Sequence, residues 1–230
     1  MYNSCKHIVF ILTLGVGIVF AIADGPGFTS LFLNNIESQY GSKAKARLLN
    51  WQQLIQENSD ESEWHKINVV NDFFNQMRFV KDSEHWNRKD YWATPVEFLS
   101  TYGGDCEDFS IAKYFTLIEL GVPDERLRIT YVKAVRLNQT HMVLAYYEED
   151  ESEPLILDNL DRKIRPASWR DDLLPVYSFN GEGLWFAKER GQGRRVEGGS
   201  KRINLWRDLN VRMDSERSHG ISYTADKMTK

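Results

Sequence analysis

The spacing of apolar residues changes once along this chain, and that change constrains the fold more than any other feature. In the first half, apolar side chains recur every three or four residues, as amphipathic helices require; examples are Leu48, Trp51 and Ile55. The later segments are rich in Val, Ile and Tyr with a period of two, which predicts strands at 128–137, 141–147 and 154–157. Because helices precede consecutive strands, we predict one α+β domain with N-terminal helices packed on an antiparallel sheet.

Short polar motifs indicate where individual helices begin. Residues 60–63 read Asp-Glu-Ser-Glu and residues 94–97 read Thr-Pro-Val-Glu, and both patterns are typical of helix N-termini. A further helix is predicted from about 106 to 120, where Gly121 ends it. The polar and aromatic residues 81–93 are predicted to form a surface loop.

Residues 1–23 have the features of a signal peptide. Lys6 precedes an uncharged, mostly apolar run from Ile8 to Ile22, and Ala21-Ile22-Ala23 is typical of a cleavage site. The run is shorter than the roughly 20 residues that cross a bilayer. We therefore predict cleavage, a periplasmic location and no stable membrane insertion afterwards; a retained N-terminal anchor is the alternative.

The composition is that of a globular protein. Hydrophobic residues make up 42% and charged residues 27% of the 230 residues, which excludes a disordered chain and a multi-span membrane protein. The formal net charge of -4 shows no basic excess, so no nucleic-acid partner is expected. We predict one domain over 24–190, followed by a flexible Gly- and Arg-rich C-terminal segment, 191–230, in which residues 203–211 are able to dock on the core.

Cys106 is the first candidate for a catalytic group. Removal of the signal segment also removes Cys5, which leaves one thiol in the exported chain. Cys106 follows Gly103-Gly104-Asp105 and opens a helix, whose N-terminus is expected to favour the thiolate and lower the pKa of the thiol. The two glycines would let the chain turn sharply and leave the sulfur accessible. The alternative is a small buried hydrophobic residue, which the acidic neighbours of Cys106 argue against.

His141 and Asp158 are the second and third candidates. If the strands at 141–147 and 154–158 form a hairpin around the acidic loop near residue 150, the two residues lie opposite each other, within one position. Opposed side chains in an antiparallel pair are close enough for a carboxylate to fix the tautomer of an imidazole. The other ring nitrogen is then free to meet the sulfur of Cys106.

The acidic residues around Cys106 allow two interpretations. Calcium prefers six to eight oxygen ligands, among them carboxylates, which Asp105, Glu107 and Asp108 could supply. The spacing is not that of an EF-hand. Alternatively, Asp105 caps the helix while Glu107 and Asp108 complement its dipole. The residues alone leave both interpretations open.

Several of these segments resemble the bacterial transglutaminase-like cysteine proteases. Residues 102–109 (YGGDCEDF) are similar to the family's nucleophile motif, and residues 141–144 (HMVL) and 157–160 (LDNL) are similar to its His and Asp blocks. A downstream match covers 177–181 (YSFNG) with Trp185. The resemblance spans about 64–188 and implies a papain/transglutaminase-like core with Cys106, His141 and Asp158 as the catalytic triad.

The resemblance implies a specific activity and specific partners. The expected protein is a periplasmic, calcium-dependent endopeptidase that cleaves the N-terminal region of a large surface adhesin at a small-residue site and so releases biofilm. Its expected regulator is an inner-membrane receptor that responds to cyclic di-GMP. The resemblance favours Asp105 and Glu107, with Asp108 as a further candidate, as Ca²⁺ ligands. Backbone carbonyls of residues 123–128 are candidates to complete the ligand shell.

Other functions use the same residues. A transglutaminase-like acyltransferase would replace water by an amine, a cell-wall peptidase would act on peptidoglycan, and a non-catalytic binding module would bury the thiol. The oxyanion donor is open between the backbone N–H of Cys106 and the side chains of Trp92 and Tyr102. The aromatic residues of 86–92 are expected either to line a substrate groove or to pack in the core.

Overall fold

The computed structural model describes residues 27–149, 152–186, 193–219 and 221–222. The predicted signal segment, residues 1–23, lies outside these ranges. None of the helices within them is both long and apolar enough to span a bilayer.

Helices dominate the first half of the chain and strands the second. The helices are α1 (Ser30–Tyr40), α2 (Ser42–Asn58), α3 (Glu63–Phe74), α4 (Asp82–His85), α5 (Pro95–Thr101), α6 (Cys106–Glu119) and α7 (Asn204–Ser218). The strands are β1 (Gly27–Phe28), β2 (Arg78–Phe79), β3 (Gly103–Gly104), β4 (Leu127–Ala134), β5 (Gln139–Tyr146), β6 (Leu155–Leu157), β7 (Arg165–Pro166), β8 (Leu173–Phe179), β9 (Leu184–Phe186), β10 (Arg194–Arg195) and β11 (Ile221–Ser222).

Most of the predicted helix boundaries are confirmed. Thr94 caps α5, and Glu97 at the third helical position returns a hydrogen bond to the Thr94 backbone, which completes the predicted capping box. The start of α3 differs from the prediction, because its cap is Ser62 rather than Asp60.

The predicted surface loop at 81–93 is partly wrong. Its first residues form α4, and Asp82, Trp92 and Ala93 are buried. Trp92 stacks on Phe179, with ring centroids 5.5 Å apart. The polar and aromatic composition of 81–93 therefore does not reveal that part of this segment packs against the core.

Seven of the described strands form an antiparallel sheet with the order β10-β9-β8-β4-β5-β6-β7, while β1 pairs with β11 and β2 with β3. One face of the sheet packs against the helices and holds the main core, and a smaller apolar cluster that includes Val132 and Val143 lies on the other face. The predicted α+β class is confirmed. Helix α6 is buried along almost its whole length and contacts α3, α5, β4 and β5.

Part of the C-terminal segment packs on this core. Trp206 of α7 is 4% exposed, and its ring stacks on Phe115 of α6 with centroids 5.4 Å apart. Leu209 is fully buried. Residues 187–192 and 223–230 lie outside the described residues.

Candidate active site

The chain before α6 places Cys106 at the first position of that helix. Tyr102 ends α5 in the left-handed region with φ 67°, and Gly103 and Gly104 then pair with β2. A Cβ on Gly103 would overlap the backbone carbonyl of Arg78, and one on Gly104 would overlap the Asp108 carboxylate. The glycines are thus required for close packing, whereas Tyr102, not a glycine, makes the predicted turn.

Cys106 is partly buried, and its sulfur lies beside an acidic group. The thiol donates a hydrogen bond to Glu107 Oε2 at 2.8 Å, and the backbone N–H of Met142 on β5 donates to the sulfur. Burial, together with the Glu107 carboxylate, raises the pKa of the Cys106 thiol well above its usual range. The predicted lowering is therefore wrong, because desolvation and negative charge outweigh the helix N-terminus.

His141 and Asp158 meet as predicted, but by a different geometry. His141 Nε2 lies 2.8 Å from Asp158 Oδ1, and the two residues are only 3% and 1% exposed. Leu144 pairs with Leu157, so one further step of that register would place Val143, not His141, opposite Asp158. The predicted direct opposition is therefore wrong by two residues, and the contact is a diagonal one just beyond the end of β6.

Every side-chain oxygen of Asp158 accepts a hydrogen bond. Besides the imidazole, the backbone N–H of Leu160 donates to Oδ1 at 3.0 Å and Arg170 Nη2 donates to Oδ2 at 2.8 Å. Burial alone would raise the pKa of Asp158, but these donors and the charge of His141 hold it well below its usual range. Arg170 is itself fixed by Asp172 at 2.9 Å.

Arg170 could not be identified from the sequence. It lies 12 positions after Asp158 in an irregular stretch, where nothing in the local pattern distinguishes it from other arginines. Its role depends on tertiary packing alone.

A second set of carboxylates crowds around the start of α6. Oxygens of Asp82, Asp105 and Asp108 all lie within 4.8 Å of one another. Asp82 Oδ1 and Asp105 Oδ1 are buried and have no hydrogen-bond partner among the described residues. Burial raises the pKa of Asp82 to about 6, and burial together with Glu107 raises that of Asp105 to about 10. This donor set fits a hard divalent cation, which needs unshared carboxylate oxygens.

The members of this acidic cluster differ in how many hydrogen bonds their carboxylate oxygens accept. Asp108 is fully buried, and its two oxygens accept the backbone N–H groups of Ala93 at 2.7 Å and Asp105 at 3.2 Å. Asp105 is the N-cap residue of α6, as the helix-capping interpretation predicts, and Asp108 accepts its backbone N–H; the role of Asp108 as a metal ligand stays a prediction. The sequence pattern does not single out Asp82, because it predicts a surface loop at 81–93.

The carbonyls of 123–128 cannot serve this cluster. That stretch follows the C-terminal end of α6, whose 14 residues separate it from Cys106 by about 20 Å. The expectation that it completes a calcium shell is wrong.

Trp92 and Tyr102, the two side chains considered as oxyanion donors, differ in how far they are exposed. Trp92 is 4% exposed and belongs to the core, whereas Tyr102 is 40% exposed and its ring lies under the guanidinium of Arg47. Trp86 and Tyr91 are partly buried and pack against each other, with ring centroids 4.7 Å apart. The aromatic residues of 86–92 thus contribute mainly to packing.

Comparison with known proteins now places this geometry in a family. Residues 42–173 match the bacterial transglutaminase-like cysteine proteinases (BTLCP). The chain belongs to this family. No curated protein matches the proteinase.

The proteinase is also similar to solved structures of LapG from Legionella pneumophila. The EGTA-treated LapG is 45% identical, with a TM-score of 0.70 over 82% of this chain and 99% of that chain. The calcium-bound LapG is 45% identical, with a TM-score of 0.68 over 79% of this chain and 97% of that chain. These similarities confirm the expected transglutaminase-like fold.

Proposed function

We propose that this proteinase is a calcium-dependent cysteine endopeptidase whose nucleophile is Cys106, served by His141 and Asp158. One observation carries the proposal: a buried imidazole is held by a carboxylate at 2.8 Å, while the amide of the next residue, Met142, donates to the Cys106 sulfur. This arrangement supports Cys106 as the nucleophile, His141 as the base and Asp158 as the group that orients the base.

The chemistry follows from these contacts. Asp158 holds His141 Nε2, which leaves Nδ1 as the ring nitrogen that takes the proton from the Cys106 thiol. The sulfur then forms a bond with the scissile carbonyl carbon, the carbon–nitrogen bond breaks, and His141 returns the proton to the leaving amine. Water, deprotonated by His141, hydrolyses the thioester and frees the thiol. The backbone N–H of Cys106, at the start of α6, is our candidate oxyanion donor.

The acidic cluster is our proposed calcium site. Asp82, Asp105 and Glu107 would hold the ion, with Asp108 as a further candidate, because the first two carry buried oxygens that accept no hydrogen bond from the described part of the chain. A bound Ca²⁺ supplies positive charge that offsets the carboxylates beside the Cys106 sulfur. The likeness to LapG, which has been solved in a calcium-bound form, supports this assignment.

The biological role that we propose comes from the family resemblance. A LapG-like proteinase is expected in the periplasm, where it cleaves the N-terminal region of a large surface adhesin and releases biofilm. Its regulator would be a LapD-like inner-membrane receptor that responds to cyclic di-GMP. The 45% identity to LapG over most of the chain supports this role.

One experiment tests both the activity and its class. The purified protein is mixed with N-terminal fragments of candidate adhesins, with calcium or with EGTA, and the products are analysed by mass spectrometry. We expect a new N-terminus in calcium, no cleavage in EGTA and none with Cys106→Ala. Isopeptide-linked products would indicate an acyltransferase, and full cleavage by Cys106→Ala would overturn the proposed nucleophile.

A further inference from the structure

Helix α6 carries a buried lysine that the proposed chemistry does not use. Lys113 is 1% exposed and lies seven residues after Cys106, which is two turns, or about 10 Å, along the same face of the helix. Its Nζ donates to Asn71 Oδ1 at 2.9 Å, to Asn75 Oδ1 at 2.9 Å and to the backbone carbonyl of Asp158 at 3.1 Å. All three N–H groups of the ammonium are therefore used.

The two asparagines extend these contacts to the segment that follows β6. Asn75 Nδ2 donates to the same Asp158 carbonyl at 2.9 Å, and Asn71 Nδ2 donates to the carbonyl of Arg162 at 2.8 Å. Sheet pairing of β6 with β5 ends at Leu157. Beyond that point, these side-chain bonds tie the main chain of Asp158 to α3 and α6.

A buried ammonium is a costly way to fill space. Burial lowers the pKa of Lys113 to about 7, although the charges of Asp158 and Asp72 oppose this shift. An apolar side chain would fill the same volume without the desolvation cost, but it could not donate to the Asp158 carbonyl. Compared with an apolar side chain, Lys113 therefore contributes hydrogen bonds rather than better packing.

We propose that Lys113 is a positioning residue that holds the main chain of Asp158 against the helix carrying Cys106. The nucleophile and the His141–Asp158 pair come from different elements, and Lys113 fixes the distance between them. This inference rests on the proposed catalytic triad and assigns to Lys113 the task of holding that triad in place.

The test compares two buried lysines. Lys113→Met keeps an unbranched side chain of nearly the same length but removes the donors. Lys66→Met is the matched control, since Lys66 is 8% exposed and its Nζ donates to the Leu120 carbonyl at the other end of α6. We expect Lys113→Met to lower kcat roughly tenfold to a hundredfold with little change in KM, because a small displacement of a catalytic group has effects of this size. Lys66→Met is expected to stay within about twofold of wild type.

A double-mutant cycle separates positioning from general destabilisation. If Lys113 acts through Asp158, combining Lys113→Met with Asp158→Asn lowers kcat by much less than the product of the two single effects. Multiplicative effects, or an unchanged kcat in Lys113→Met, would overturn the inference. If Lys113→Met does not fold, Asn75→Ala removes the second donor to the same carbonyl; a lowered kcat supports the inference and an unchanged kcat overturns it. Full activity of Cys106→Ala would instead refute the triad itself.

Discussion

Two sets of carboxylates lie at the candidate active site, and they differ in what surrounds them. Asp158 has a donor on each side-chain oxygen, from His141, Leu160 and Arg170, and its pKa is lowered. The cluster of Asp82 and Asp105 has buried oxygens without a partner among the described residues, and the pKa values of both groups are raised.

The difference shows which part of the site the chain completes by itself. Around Asp158 the protein supplies its own cation, Arg170, and no further charge is needed. Around Asp105 the described residues supply backbone N–H donors but no cation paired with these carboxylates, so we expect a cation from solution to balance their charge. We therefore expect the two sets to respond oppositely to calcium and to substitution.

The largest expected effect is at Asp158. Asp158→Asn should lower kcat about a thousandfold or more, because it removes the charge that orients His141 and stabilises the imidazolium. Asp161→Asn is the control, since Asp161 forms a partly exposed ion pair with Arg165. Steady-state cleavage rates of the two variants test this prediction. Similar rates would show that Asp158 is not a member of the triad.

A smaller loss is expected when the cation beside Asp158 is removed. Arg170→Met should lower kcat roughly tenfold to a hundredfold, because the freed carboxylate oxygen no longer fixes Asp158 in place. Arg136→Met breaks only the exposed pair with Asp171 and should leave kcat unchanged. Equal activity of the two arginine variants would show that Asp158 needs no second partner.

Calcium should act on the other set alone. Calcium at about 100 times its dissociation constant should add roughly 2.7 kcal/mol to the free energy of unfolding, seen as a rise in Tm that EGTA reverses. Asp82→Asn should abolish most of this rise, and Asp208→Asn, at an exposed position on α7, should not. An undiminished rise in Asp82→Asn would exclude Asp82 as a ligand.

The smallest effect is a dependence of stability on pH. The folded-state pKa of Asp158 is lowered, so its stabilising effect is complete above its unfolded value, near 3.8, and is lost as pH falls further. The difference in free energy of unfolding between wild type and Asp158→Asn should therefore be about 1 kcal/mol smaller at pH 3 than at pH 6. Urea unfolding at both values measures this, and a constant difference would contradict the lowered pKa.

What the sequence could predict was local. The cap at Thr94 and the first residue of α6 follow from local motifs. The contact between His141 and Asp158 is also predicted, although by a strand register that is wrong by two residues. The partners of those groups could not be predicted, because Arg170, Asp82 and Lys113 reach the site through tertiary packing. The predicted direction of the pKa shift of Cys106 was wrong for the same reason, since desolvation depends on which groups the fold places near the thiol.

The proposed pairing of Cys106 with His141 is tested most directly by the rate at which iodoacetamide alkylates the thiol. Peptide mapping by mass spectrometry in calcium assigns the adduct to Cys106. We predict that the wild type is alkylated at neutral pH. The rate in His141→Ala should be lower by a factor of about ten or more, because the base that takes the thiol proton is gone. Equal rates in the two proteins would contradict the proposed triad.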